Sequence, residues 1–278
     1  GQTVARACLQ QAGDQIQRVA AECATPDVSD AIVSLLCGAV GTVADGDDAN
    51  TLDFISGCAS ALGDRYPAAA ASVASQVAQT WGRVGTHKKC ASSSVIIALA
   101  GSLAACVSSR ELDDIVSGFR AATVYLHRCP TLLAASEASI LEVLAAALGA
   151  YSRRSEPHVC SAVLTCVQGF EAAATAGISA ATAALGPNIA AIVTGLAMQL
   201  CGRCPAESAA GAAGALHWLV ALSAERGGME NVATTAVVEG FAGGGFRDIG
   251  DGSGLFMALR QPREAWVERA EALWHQMR

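Results

Sequence analysis

An amphipathic stretch of about four or five helical turns, a short polar or proline-marked break, then another such stretch: this pattern runs along the chain from end to end. No segment shows the sustained apolar/polar alternation that a half-buried strand needs. The pattern is clearest in RELDDIVSGFRAATVYLHRCPTLL, residues 110–133. Leu112, Ile115, Val116, Phe119 and Leu126 fall on one helical face, with Asp113, Asp114 and Arg120 off it. Glu111, Asp113 and Asp114 stand at the end of the helix dipole that favours negative charge, and His127 and Arg128 at the end that favours positive charge. Pro130 is expected to stop this helix, because proline has no N–H to donate and crowds the preceding turn.

The chain has 278 residues, of which 52% are hydrophobic, so it can bury a large core as one large domain or two. Aromatic residues make up only 5%, and the apolar excess is mostly alanine, a strong helix former. The expected fold class is therefore all-α. The net charge of -7 argues against a nucleic-acid binder, which usually shows a basic stripe, and leaves room for a basic partner. Eleven cysteines are an odd number in a long chain with no secretory leader, so reduced thiols in the cytosol or nucleus are expected. Cys8, Cys37, Cys58, Cys106 and Cys166 lie in apolar runs, where cysteine packs as a small hydrophobe. The chain opens at Gly1-Gln2 without an initiator Met and turns helical at once, as expected of a piece of a longer protein. ISAATAALGPNIAAIVTGLAMQL, residues 178–200, is uncharged and long enough to span a bilayer. Dilution by small residues, the Gly186-Pro187-Asn188 break and the lack of flanking cations favour a buried, broken helix with no membrane insertion.

Breaks along the chain imply roughly a dozen helices, or about six hairpins of about 40 residues, the period of HEAT-type repeats. The expected architecture is a HEAT-like α-α superhelix, with residues 1–278 as a single solenoid segment. A globular helical bundle is the structural alternative. Thr25-Pro26-Asp27 opens a helix with a capping residue, a proline and an acid. Arg65-Tyr66-Pro67, Arg128-Cys129-Pro130 and Arg203-Cys204-Pro205 repeat one closing device, a cation at a helix end before a proline.

Chemical motifs are sparse. Cys201-Gly-Arg-Cys204 has CxxC spacing, but a second pair of ligands for zinc is not evident, and two packed thiols at a helix end are expected. GFAGGGFRDIGDGSG, residues 240–254, has no GK[ST] ending and reads as a flexible loop; Asp248 and Asp251 lack the full pattern of a calcium loop. His87, His127, His158, His217 and His275 are scattered, as surface and helix-end residues would be, and Thr86 to Cys90 holds the one compact basic spot. No cofactor and no catalytic or metal site is expected, because no nucleophile, base and orienting group can be assembled from these motifs. Asp45, Asp47 and Asp48 are placed in a turn, with Asp53 and Asp64 on the next helix. Such acids either serve helix starts or face a basic partner, and the first use is favoured.

ELDDIVSGFRAATVYLHRCPTLLAASEASILEVLAAAL resembles the late HEAT repeats of the importin-β (karyopherin) superfamily, in the branch of transportin-SR and importin thirteen. The likeness rests on the Asp-Asp of the first turn, the Arg-x-Pro ending and the Leu-rich partner helix. It continues through SEPHVCSAVLTCVQGF and LGPNIAAIVTGLAMQLCGRCP, and more loosely through REAWVERAEALWHQMR. The resemblance implies the C-terminal part of a longer receptor that shuttles between cytoplasm and nucleus. It implies protein cargo on the concave face, Phe-Gly nucleoporins in convex grooves, and Ran-GTP bound mainly through a more N-terminal region. On it, Asp47, Asp48 and Asp53 are candidate cargo contacts, followed by Asp113 and Asp114. In transportin-SR several arginines of a helix in this region grip phosphorylated Arg-Ser domains. The counterpart here, ANTLDFISGCASALGDR, has only Arg65 and carries Asp53, so that cargo is not expected. A HEAT scaffold that holds enzyme subunits together without Ran is the alternative function.

Overall fold

A computed structural model describes residues 2–22, 25–42, 49–63, 65–85, 91–136, 138–225, 230–246 and 258–277. The described residues are overwhelmingly helical, and none is in a strand. Two compact units are distinguished, one of Gly1–Leu144 with Ala176–Ala180, the other of Ala145–Thr175 with Ala181–Arg278.

The first unit contains α1 (Gln2–Glu22), α2 (Pro26–Thr42), α3 (Ala49–Gly63), α4 (Pro67–Gly85), α5 (Ala91–Val107), α6 (Leu112–Arg128), α7 (Pro130–Ala135) and the start of α8 (Ala138–Tyr151). Helices α1 to α7 follow one packing rule: each lies against the next and against the next but one. In α6 the expected stripe is buried at Ile115, Val116, Phe119 and Leu126, while Leu112 is half-buried; Gly118, Ala121, Ala122 and Tyr125 widen it. Burying a side chain such as Phe119 stabilises the fold by about 1.5–3 kcal/mol. The Tyr125 hydroxyl donates to the Ile96 carbonyl at 3.0 Å, which lets a polar group lie in the core between α5 and α6. Helix α4 turns Ala71, Ala74 and Ala78 inward together with Val73, Val77 and Trp81, so alanine serves as interface here. The α6 helix also approaches α5 closely, since a Cβ at Gly118 would sit 2.7 Å from Cys106 Cβ.

Proline acts differently from expectation at two of the breaks. Pro130 ends α6 but is itself the first residue of α7, and Pro67 is the first residue of α4. The missing N–H is harmless at that position, and the fixed φ suits a helix start. Pro26 opens α2 as expected. Arg128 and Arg203 stand in the last turn of their helical segments, whereas α3 stops at Gly63 and leaves Arg65 beyond it.

The second unit contains the rest of α8, then α9 (Pro157–Thr175), most of α10 (Ser179–Leu185), a 3-10 turn (Gly186–Asn188), α11 (Ile189–Met198), a π-turn (Gln199–Arg203), α12 (Ala206–Glu225), α13 (Glu230–Gly243) and α14 (Arg263–Met277). Helix α12 lies against α9, α11, α13 and α14, and α11 against α13. The apolar stretch from Ser179 to Arg203 is long and apolar enough to cross a membrane by length and composition, and 61% of its apolar window is buried inside the protein. It is broken by Gly186–Asn188 as expected. The Trp266 indole donates to the Ala213 carbonyl at 2.8 Å and the Trp274 indole to the Cys204 carbonyl at 3.2 Å, which anchors α14. Arg263 of α14 grips Glu171 of α9 through both guanidinium Nη atoms. Residues Gly240 to Gly243, expected in a loop, belong to α13. A Cβ at Gly240 would come within 2.5 Å of the Thr194 carbonyl oxygen, so the glycine is there to admit the backbone of α11.

Candidate functional site

Between α1 and α3 a cleft of about 320 Å³ is lined by Gly13, Asp14 and Gln17 from α1 and by Asn50, Thr51, Asp53 and Phe54 from α3. The phase of α3 produces one wall. Leu52, Ile55, Cys58, Ala59 and Leu62 are buried, which turns Asn50, Asp53, Gly57 and Ser60 outward. A Cβ at Gly57 would meet Gln17 Nε2 at 2.8 Å, so the absence of a side chain there lets Gln17 lie across α3. Asp14 and Asp53 carry the only charges on the described lining, both negative. Neither carboxylate is in an ion pair among the described residues. Carboxylate and carboxamide oxygens on facing walls can accept several hydrogen bonds from one cationic group.

Asp53 is the one sequence-expected contact residue in this cleft. Asp47 and Asp48 lie outside the described residues, as do Asp45 and Asp64. Asp113 and Asp114 are elsewhere, in the first turn of α6. There the Ser109 hydroxyl donates to the Asp114 carboxylate at 2.7 Å and accepts the Glu111 N–H at 3.2 Å. Asp114 thus fastens the start of its own helix, while Asp113 is exposed. Asp14, Gln17, Asn50 and Thr51 escaped the sequence reading, because nothing local signals that α1 lies beside α3.

Cys201 and Cys204 are packed thiols, 6% and 3% exposed, at the π-turn. They look in different directions. Cys201 Sγ lies 3.7 Å from the Phe241 carbonyl oxygen, whereas Cys204 is packed with Ala209 and Trp274. Burial pushes both thiols up to about 11, so neither ionises near neutral pH. Among the described residues no group of three or more His, Cys, Asp or Glu side chains could hold a metal ion. His127, His158 and His275 are exposed, and His217 Nε2 is 3.0 Å from the Gln261 carbonyl oxygen. His87, the rest of the basic spot at residues 86–90, and Asp248 and Asp251 lie outside the described residues.

At the same π-turn Gln199 is 1% exposed and its Nε2 donates to the Ser152 carbonyl at 2.8 Å. Its Oε1 is buried without a hydrogen-bond partner. The Ser152 hydroxyl in turn donates to the Ala191 carbonyl at 3.1 Å, which ties the end of α8 to α11. This network is structural glue inside the second unit, whereas the α1–α3 cleft opens to solvent. The chain matches no protein-family model, no curated protein and no solved structure.

Proposed function

We propose that this chain is a HEAT-like solenoid segment of a nuclear transport receptor of the karyopherin-β kind, which binds basic protein cargo and releases or gains it in response to Ran-GTP. The observation that supports it is the packing of α1 to α7, each against the next and the next but one. Helical hairpins stacked as repeats pack in this way, because each hairpin buries its face only against its neighbours. The resemblance of residues 111–148 to late HEAT repeats of that superfamily adds the transport role, with Phe-Gly nucleoporins and shuttling between cytoplasm and nucleus. In this reading the protein works as a binder rather than as an enzyme. The cargo contact is Asp53 with its cleft partner Asp14, and Asp113 is a secondary candidate. Binding of cargo and of Ran-GTP is linked through the curvature of the stack, so each ligand shifts the affinity for the other by the same factor.

The test is affinity capture with the full-length protein, with and without Ran locked in its GTP form. Partners released by Ran-GTP are expected for an import receptor, and partners gained for an export receptor. A bound set that ignores Ran-GTP would refute the transport role and leave a HEAT scaffold as the reading.

A further inference from the structure

We infer that the cleft between α1 and α3 is a receptor for an arginine side chain presented by a protein partner. This deepens the transport-receptor reading and rests on it only for the partner's identity. Both helices contribute acceptors to the lining of the cleft, Asp14 and Gln17 from α1 and Asn50 and Asp53 from α3. A guanidinium has five N–H donors in one plane and can engage several such acceptors together, whereas an ammonium is a compact, strongly hydrated point charge. Phe54, 7% exposed, is also part of the lining. It offers an aromatic surface of the kind on which guanidinium groups settle. A Cβ at Gly13 would sit 3.5 Å from that ring, an ordinary contact, so α1 runs close beside it. Phosphate and other anions are repelled by the two carboxylates. Asp14 and Asp53 are also free of the duty that occupies Asp114, because no described cation or hydroxyl holds them.

The experiment is fluorescence anisotropy on the whole chain with a labelled short peptide of arginines spaced by serine and glycine, against matched lysine and citrulline peptides. The arginine peptide is expected to bind about tenfold more tightly than the lysine peptide, and the citrulline peptide not to bind. The double variant Asp14→Asn, Asp53→Asn should weaken the arginine peptide by about tenfold or more. The charge-matched pair Glu264→Gln, Glu268→Gln, two exposed acids of α14, should leave it unchanged. A third variant, Gly57→Ala, changes no charge and displaces only the flexible end of Gln17, and it should weaken the arginine peptide as well. Circular dichroism of each variant checks that helicity is retained. Equal affinity for arginine and lysine, or equal loss in the two charge-matched pairs, would mean diffuse attraction to an acidic chain and would overturn the inference. If the peptide results hold while Ran-GTP changes no partner, the transport role fails and the arginine cleft stands. If Ran-GTP releases cargo but the peptide does not bind, the cleft fails and the receptor stands.

Discussion

Replacing Gly195 with alanine should destabilise the protein, although alanine is the better helix former. On propensity alone the change would stabilise an interior helical position by about 1 kcal/mol. Gly195 lies on α11, however, where a Cβ would fall on the side chain of Ser152 and come within 2.6 Å of its carbonyl carbon. Ordinary contact begins at about 3.5 Å, so the end of α8 and α11 must part by roughly 1 Å. Overpacking of this kind costs about 1–3 kcal/mol. The separation also stretches two buried hydrogen bonds, Ser152 Oγ to the Ala191 carbonyl at 3.1 Å and Gln199 Nε2 to the Ser152 carbonyl at 2.8 Å. Losing the second strands the other polar atom of an amide whose Oε1 already lacks a partner, a further cost of about 1–3 kcal/mol. With the propensity gain subtracted, the net loss is about 1–5 kcal/mol, which lowers Tm by roughly 2–20 °C for a chain of this size. The control is Gly101→Ala on α5, where a Cβ meets nothing within 4 Å. It should gain about 0.5–1 kcal/mol. Thermal and urea unfolding followed by far-UV circular dichroism measure both. A Gly195→Ala protein as stable as the parent would show that α8 does not meet α11 at Ser152.

Burial pushes the thiols of Cys58, Cys106 and Cys129 up to about 12, from an ordinary 9.0. In the unfolded chain these thiols ionise first, so the stability they contribute should be constant below pH 9 and be lost as pH rises from there towards 12, as urea midpoints from pH 8 upward would report. Half-buried Cys37 should be alkylated by iodoacetamide before the buried Cys58, Cys106, Cys129, Cys160, Cys166, Cys201 and Cys204, as peptide mass spectrometry would resolve. Tyr125→Phe removes the hydroxyl that donates to the Ile96 carbonyl and should cost about 1 kcal/mol in urea unfolding. Arg263→Lys keeps the charge but loses the two-pronged grip on Glu171, and with Arg263 44% exposed the loss should stay at about 0.5–1 kcal/mol.

Helix phase was legible in the sequence wherever a stripe of large apolar residues marked it. Ile115, Val116, Phe119 and Leu126 are buried as their spacing requires. Tyr125 belongs to the same face, but its burial depends on a carbonyl in another helix, which spacing within α6 cannot reveal. Small residues were harder to interpret, because glycine signals a loop and a tight helix contact alike. Gly240 to Gly243 turned out helical, and what distinguishes the two cases is the Thr194 backbone, distant in sequence. The prolines were correctly placed at breaks. Their second role, opening the following helix at Pro67 and Pro130, depends on how short the connection is, and composition does not fix that.

The acids show the same division between local and distant causes. The helix dipole and capping were expected to account for most of them, and for Asp114 they do, since it lies in the first turn of α6 and is held by Ser109. Asp53 is different. Helix α3 has no acid in its first turn, and Asp53 comes after it, where the dipole has faded and no capping duty remains. Its position on an outward face was readable from the burial of Leu52 and Ile55 on either side. What it faces was not, because Asp14 and Gln17 come from a helix whose placement is decided by packing along the whole α1–α3 contact. Two like charges turned towards one cleft raise the energy of the folded chain slightly, and a cation between them removes that repulsion. Affinity for a cationic side chain and the small stability gain of an Asp14→Asn variant thus have one electrostatic origin. They should appear together, and both should shrink as salt is added.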